Sequence, residues 1–216
     1  MNPDARPTQD QALADRWHRV ALWLIIGTLC YNAIEALVAL GSGSQAGSIA
    51  LFGFGLDSVI ETVAASVLLW RLWHGVRGAS EERLAEMDRR VYRVVGATFV
   101  VLAAYIVFQS AWTLIGRLQP QESMMGMGLA IASVIVMPLV SIGKIRAARR
   151  LNSAALLAEA KETLACSYLS LTLLLGLLLN SALGWWWADP VAALLMVPWI
   201  TKEGIEGLRE DGGGCH

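Results

Sequence analysis

The chain has 216 residues, of which 56% are hydrophobic and only 16% charged, with a mean hydropathy of +0.52. A soluble domain carries about 25% charged residues, so the deficit and the long apolar runs indicate an integral membrane protein. A net charge of −1 leaves no basic surface for nucleic acid, and three scattered cysteines (Cys30, Cys166 and Cys215), two of them inside apolar runs, do not form a disulfide framework.

Residues 1–19 are polar and mixed in charge, and read as an N-terminal tail. The apolar run that follows lacks a small-residue cleavage site, so it is read as a retained span and not as a signal peptide. Six apolar segments succeed one another: Val20 to Leu40, Ala46 to Trp70, Val94 to Leu114, Met125 to Ile142, Ser153 to Leu179, and Pro190 to Ile200, the last continued as helix by "TKEGIEGLRE". A span needs about 20 residues at 1.5 Å rise. Isolated strands would leave amides unpaired in lipid, so these segments are expected to be helices. The expected fold is therefore all-α, with a six-helix transmembrane domain over residues 20–208 and a short disordered tail over 209–216.

The connectors alternate in charge. Of the 17 basic residues, fifteen fall on one side: Arg6, Arg16, Arg19, Arg71, Arg77, Arg83, Arg89, Arg90, Arg93, Lys144, Arg146, Arg149, Arg150, Lys202 and Arg209. Arg117 alone falls on the other, and Lys161 lies within the fifth span. The positive-inside rule then places both termini in the cytoplasm of a multi-pass protein of the cell (inner) membrane. The link "HGVRGASEERLAEMDRR" reads as a charged helical extension. Trp185, Trp186 and Trp187 mark the outer interface, and Asp189-Pro190 reads as an N-cap with proline at N1 opening the sixth helix.

Two spans carry charges at mid-depth. Asp57 and Glu61 are spaced i, i+4 and share a face of the second helix; Glu162 and Cys166 repeat the spacing on the fifth. Asp57 lies ten residues from Gly47 and Glu162 ten from Asn152, so each lies about 15 Å deep, counted from opposite sides of the bilayer. A carboxylate at that depth costs roughly 2.5–3.5 kcal/mol on insertion scales, which makes an acidic pair a pathway hypothesis and not a packing accident. Four donors from two helices suit a tetrahedral divalent ion such as Zn²⁺, a thiolate favours Zn²⁺ or Cd²⁺ over Mg²⁺, and the same carboxylates can take up protons. Cys166 is equally readable as a small buried hydrophobe. Asn32 and Glu35 form a polar face on the first helix, open to either interhelical bonding or lining an ion path. Lys161 beside Glu162 would repel a cation. A structural ion pair with Glu35 or Glu159 is the preferred reading for it, and proton coupling the lesser one. Cys215-His216 reads as a solvated tail with at most weak metal affinity.

The stretch "GSIAL" followed by "DSVIE", with Asp189-Pro190 and "EGIEGLRE" further on, resembles the cation diffusion facilitator family over about residues 16 to 210. The resemblance implies a homodimeric exporter of divalent metal, usually zinc, driven by inward proton flow, with Asp57 and Glu61 as transport-site ligands. Where that family has His-x-x-x-Asp on the fifth helix, this chain has Glu162 and Cys166. No counterpart of the family's C-terminal soluble domain is expected after residue 211, so the expected dimer forms through the helices. The expected function is metal/proton antiport by alternating access, without catalysis and without a resident cofactor. A membrane module that binds metal or a partner without transport is the alternative. A membrane aspartyl protease is disfavoured, because "GFGLD" has one residue too many between glycine and acid and no second Asp lies in another span.

Overall fold

The structure, a computed structural model, describes residues 9–76, 81–118, 120–151 and 153–209. Those residues form six α-helices: α1 (Gln9–Ala46), α2 (Ile49–Val76), α3 (Glu81–Gly116), α4 (Met124–Leu151), α5 (Ala154–Leu183) and α6 (Ala188–Arg209). All six expected helices are present, and no strand occurs among the described residues. Four of them (α1, α3, α4 and α5) are long and apolar enough to cross a membrane by length and composition.

The helices extend beyond the apolar runs. α1 begins at Gln9, inside the segment read as a tail, and passes through the "GSGSQ" connector before breaking at Gly47, whose φ is +65°. α3 takes in Glu81–Arg90 of the charged link, and α6 reaches Arg209. In each case a started helix keeps adding one backbone hydrogen bond per residue until a breaker intervenes. Between α5 and α6 the breaker is Gly184, at φ +66°. Its amide bonds Asn180 O and the amide of Trp185 bonds Leu179 O, the paired closure that only an αL residue permits. The rest of the C-terminal tail, including Cys215-His216, lies outside the described residues, as do Arg6 and Arg77 of the basic set.

The strongest packings are α4 on α5, α3 on α6 and α1 on α2; contacts of α1 with α4, α5 with α6 and α2 with α3 close these pairs into a ring, and α2 also touches α5 and α6 across its middle. The core runs through Leu51, Phe54, Ile106, Met137, Leu169, Leu173, Met196 and Ile200. A second apolar cluster, Ala21, Ile25, Ala147, Ala148 and Leu156, joins α1, α4 and α5 near the turn after α4. The outer surface is apolar: Trp23 is 72% exposed, Phe108 67% and Leu139 65%, whereas Asn32, Glu35, Asp57, Ser133, Ser141 and Lys144 are buried. A soluble helical domain shows the opposite distribution, so the polarity pattern independently marks a lipid-embedded bundle.

Asp189 is a correction to the sequence reading. It lies within α6, and its carboxylate caps the start of α2 in place of its own helix: it accepts from Ser48 Oγ and from the amides of Ile49 (2.9 Å) and Ala50 (3.5 Å). Ser48 in turn accepts from Leu51 N at 3.1 Å. The "GS" and "DP" stretches thus meet in space, with an acid held on the positive end of a helix dipole.

Candidate metal centre

α2 and α5 deliver the site. A full turn separates Asp57 from Glu61, so both carboxylates project from one face of α2 toward α5. One oxygen from each of Asp57 and Glu61 and the Cys166 sulfur all lie within 4.8 Å of one another. Asp57 and Cys166 are buried and Glu61 is half-buried. The two helices run in opposite directions, so the meeting of Asp57 and Glu61 with Cys166 requires the equal depth that residue counting gave.

Glu162, one turn before Cys166, is half-exposed and stands outside that close group. It remains within electrostatic range of Asp57 and Glu61. The four residues singled out as ligands therefore divide three to one.

The first helix supplies the next layer. Asn32 donates from Nδ2 to Glu61 Oε2 at 2.8 Å, which fixes one carboxylate oxygen, and its own Oδ1 is buried without a partner among the described residues. Asp57 Oδ2 is likewise buried with no hydrogen bond among the described residues. Glu35 is held away from the cluster: Ser58 Oγ donates to its Oε2 at 3.0 Å and Ser133 Oγ to its Oε1, while Tyr31 shares a hydrogen bond with Ser133 at 2.8 Å. Of the two readings left open for the first helix, Glu35 shows interhelical bonding and Asn32 touches the site itself.

Lys161 is exposed, and the structure corrects the ion pair expected for it. Glu159 bonds Lys144 instead, at 2.7 Å, and Glu35 is occupied by serines. Seven residues into α5, Lys161 lies about 10 Å from the start of the helix, within reach of the headgroups for a snorkelling ammonium. Lys144 is the residue that sequence reading missed. It was counted among the cytoplasmic basics because the apolar run stops at Ile142, yet it is fully buried, and it also bonds Thr163 Oγ1 at 2.9 Å. A usable signal was present: Gly126, Ala130, Ser133, Met137, Ser141, Lys144 and Ala148 recur at three- and four-residue spacing and form one small or polar stripe on α4.

A buried carboxylate, a half-buried one and a buried thiol converging this closely have the donor chemistry that suits a soft divalent cation. The sequence matches the cation efflux transmembrane domain over residues 24–212. It is similar to the uncharacterized transporter sll1263 of Synechocystis sp., at 28% identity over 174 residues covering 79% of this chain and 56% of that protein. It is also similar to transmembrane protein 163 of Xenopus laevis, at 24% identity over 200 residues covering 91% and 69%. The chain thus spans little more than half the length of the first of these relatives.

Proposed function

The chain belongs to the cation efflux family, and from that premise we propose that it exports a divalent metal cation, Zn²⁺ before others, in exchange for protons. The observation that carries this reading is the convergence of Asp57, Glu61 and Cys166 within 4.8 Å. The work is binding and release, with no covalent bond made or broken, so the protein is a carrier and not an enzyme.

Two carboxylates and a thiolate supply three donors to a tetrahedral ion. The fourth position would be left to a further oxygen donor, Asn32 Oδ1, Glu162 or water. The anionic donors offset the desolvation of a divalent ion, and the sulfur favours Zn²⁺ and Cd²⁺ over Mg²⁺. When the ion leaves, two carboxylates cannot stay ionised side by side in a poorly hydrated interior, so they take up protons. Metal and protons then occupy one site alternately, and rocking of helix groups around it exposes the site to each side in turn. The family resemblance supports a homodimer in the cell (inner) membrane.

The test is flux in proteoliposomes loaded with a zinc indicator. Wild-type protein should move Zn²⁺, and faster when the side receiving the metal is the more acidic. Asp57→Asn should abolish flux while the protein still purifies as a folded species. Wild-type-rate transport by Asp57→Asn would remove the cluster from the mechanism. Stoichiometric Zn²⁺ binding in detergent with no flux would instead identify a metal-binding membrane module.

A further inference from the structure

Lys144 and Glu159 form a buried ion pair that the transport reading does not use. Lys144 is 0% exposed, and its Nζ bonds Glu159 Oε1 at 2.7 Å and Thr163 Oγ1 at 2.9 Å. An ammonium has three donors, and two are engaged here. Glu159 Oε2 is buried and accepts nothing from the described residues, so the pair is not fully satisfied.

The position matters as much as the pairing. Glu159, Thr163 and Cys166 recur at i, i+4 and i+7, one stripe along α5. Thr163 stands three residues before Cys166, about 4.5 Å along the axis. The ammonium at Thr163 is therefore one turn below the metal cluster, on the side of the α4–α5 turn, and it is within electrostatic range of Glu61. A lysine's flexible four-carbon stem covers one turn by changing rotamer. At the cluster an acceptor awaits it: Asp57 Oδ2 is buried without a hydrogen bond among the described residues. A structural salt bridge alone does not explain why a fixed positive charge is kept beside a cation site, where it opposes the ligand.

We propose that Lys144 is a tethered internal cation that competes with the metal for the Asp57–Glu61–Cys166 cluster, and that Glu159 is the anchor that holds it off. With metal present, Lys144 rests on Glu159 and Thr163. With the cluster empty, the ammonium supplies positive charge to the carboxylates, which lowers the cost of the metal-free state. Lys144 then sets the affinity of the site and speeds release, and the strength of its bond to Glu159 determines how strongly it competes. This inference rests on the cluster being the metal site.

The competition makes an opposite-sign prediction that damage to packing cannot imitate. Zn²⁺ is titrated calorimetrically into the purified full chain in detergent, for wild type, Lys144→Met, Glu159→Gln and the double variant. Lys144→Met should tighten Zn²⁺ binding, and Glu159→Gln, which frees the ammonium, should weaken it; each change should be about tenfold, the scale of a typical coupling between sites. The double variant should bind like Lys144→Met, because the anchor has nothing left to hold. If both single variants weaken binding, or neither moves it, Lys144 is merely structural and the proposal fails. Should Lys144→Met not fold, comparing Glu159→Gln with the double variant, which leaves no lone buried charge, gives the same decision. A wild-type protein that binds no Zn²⁺ overturns the transport-site reading itself, an outcome distinct from intact binding with the wrong pattern of shifts.

Discussion

At the scale of single residues, two of the chain's buried polar groups make separate demands. One is Asp189, whose carboxylate receives Ser48 Oγ and the amides of Ile49 and Ala50. Asp189→Ala would strand three buried donors, and each costs about 1–3 kcal/mol when left unmade. The expected outcome is a lower unfolding midpoint in detergent, at about 2–4 °C per kcal/mol for a chain of this size, with Zn²⁺ binding retained by whatever protein stays folded. The other is the cluster, where, on the proposed function, the Cys166 sulfur would set ligand softness. Cys166→Asp, which restores the carboxylate that related sequences are expected to carry there, should shift transport preference away from Cd²⁺ and toward harder ions such as Mn²⁺. The check is relative flux across a panel of Zn²⁺, Cd²⁺ and Mn²⁺, and an unchanged Cd²⁺/Mn²⁺ ratio would mean that the sulfur does not touch the ion. Asp57 and Glu61 were legible in the sequence because i, i+4 spacing in an apolar run fixes both face and depth, whereas Cys166 was equally readable as a small hydrophobe and its i, i+4 partner Glu162 stands outside the close group. Lys144 and the bonding of Glu35 were not legible, because they depend on how α4 and α1 are rotated about their axes, and one chain's hydropathy does not encode that rotation.

At the scale of helices, the sequence conveyed number and order well and ends poorly. Apolar runs report the part of a helix that meets lipid, whereas a helix stops at a backbone event, such as the αL residue Gly184. Hence α1 runs through Gly41 and Gly43, which read as a connector, and α3 starts among charged residues. Helix-on-helix approach was equally hidden. A Cβ placed on Gly96 of α3 would stand 2.8 Å from Gly204 O and 2.8 Å from Leu208 N of α6, so the two backbones touch there. Without a hydrophobic drive between helices in lipid, such close van der Waals contact supplies much of the association. Gly96→Leu should therefore separate α3 from α6 and lower the yield of folded protein in size-exclusion chromatography. Overpacking costs of about 1–3 kcal/mol are typical, and backbone neighbours cannot move aside as side chains do. A Gly96→Leu protein with an unaltered unfolding midpoint would show that this crossing is loose in the bilayer.

At the scale of the whole molecule, the direction of transport depends on which end of the bundle faces the cytoplasm. Burial of Lys144 removes it from the loop charges and leaves fourteen basic residues against Arg117, one fewer than the fifteen counted along the sequence. The bias still places the α4–α5 turn inside and Trp185–Trp187 outside, where Trp185 and Trp187 stack at 5.0 Å between ring centroids and stay exposed, as interfacial indoles do. Glu159, Lys144 and the exposed Lys161 then lie on the cytoplasmic side of the cluster, so on the proposed function a metal ion entering from within would meet the charged pair before Asp57. Single-cysteine variants decide the orientation. In a background with Cys30, Cys166 and Cys215 replaced by serine, Trp187→Cys should react with a membrane-impermeant maleimide on intact cells. Arg150→Cys, exposed at the end of α4, should react only after the membrane is opened. The reverse pattern would invert the bundle, and the same site would then import the ion, with Lys144 guarding the exit instead of the entrance.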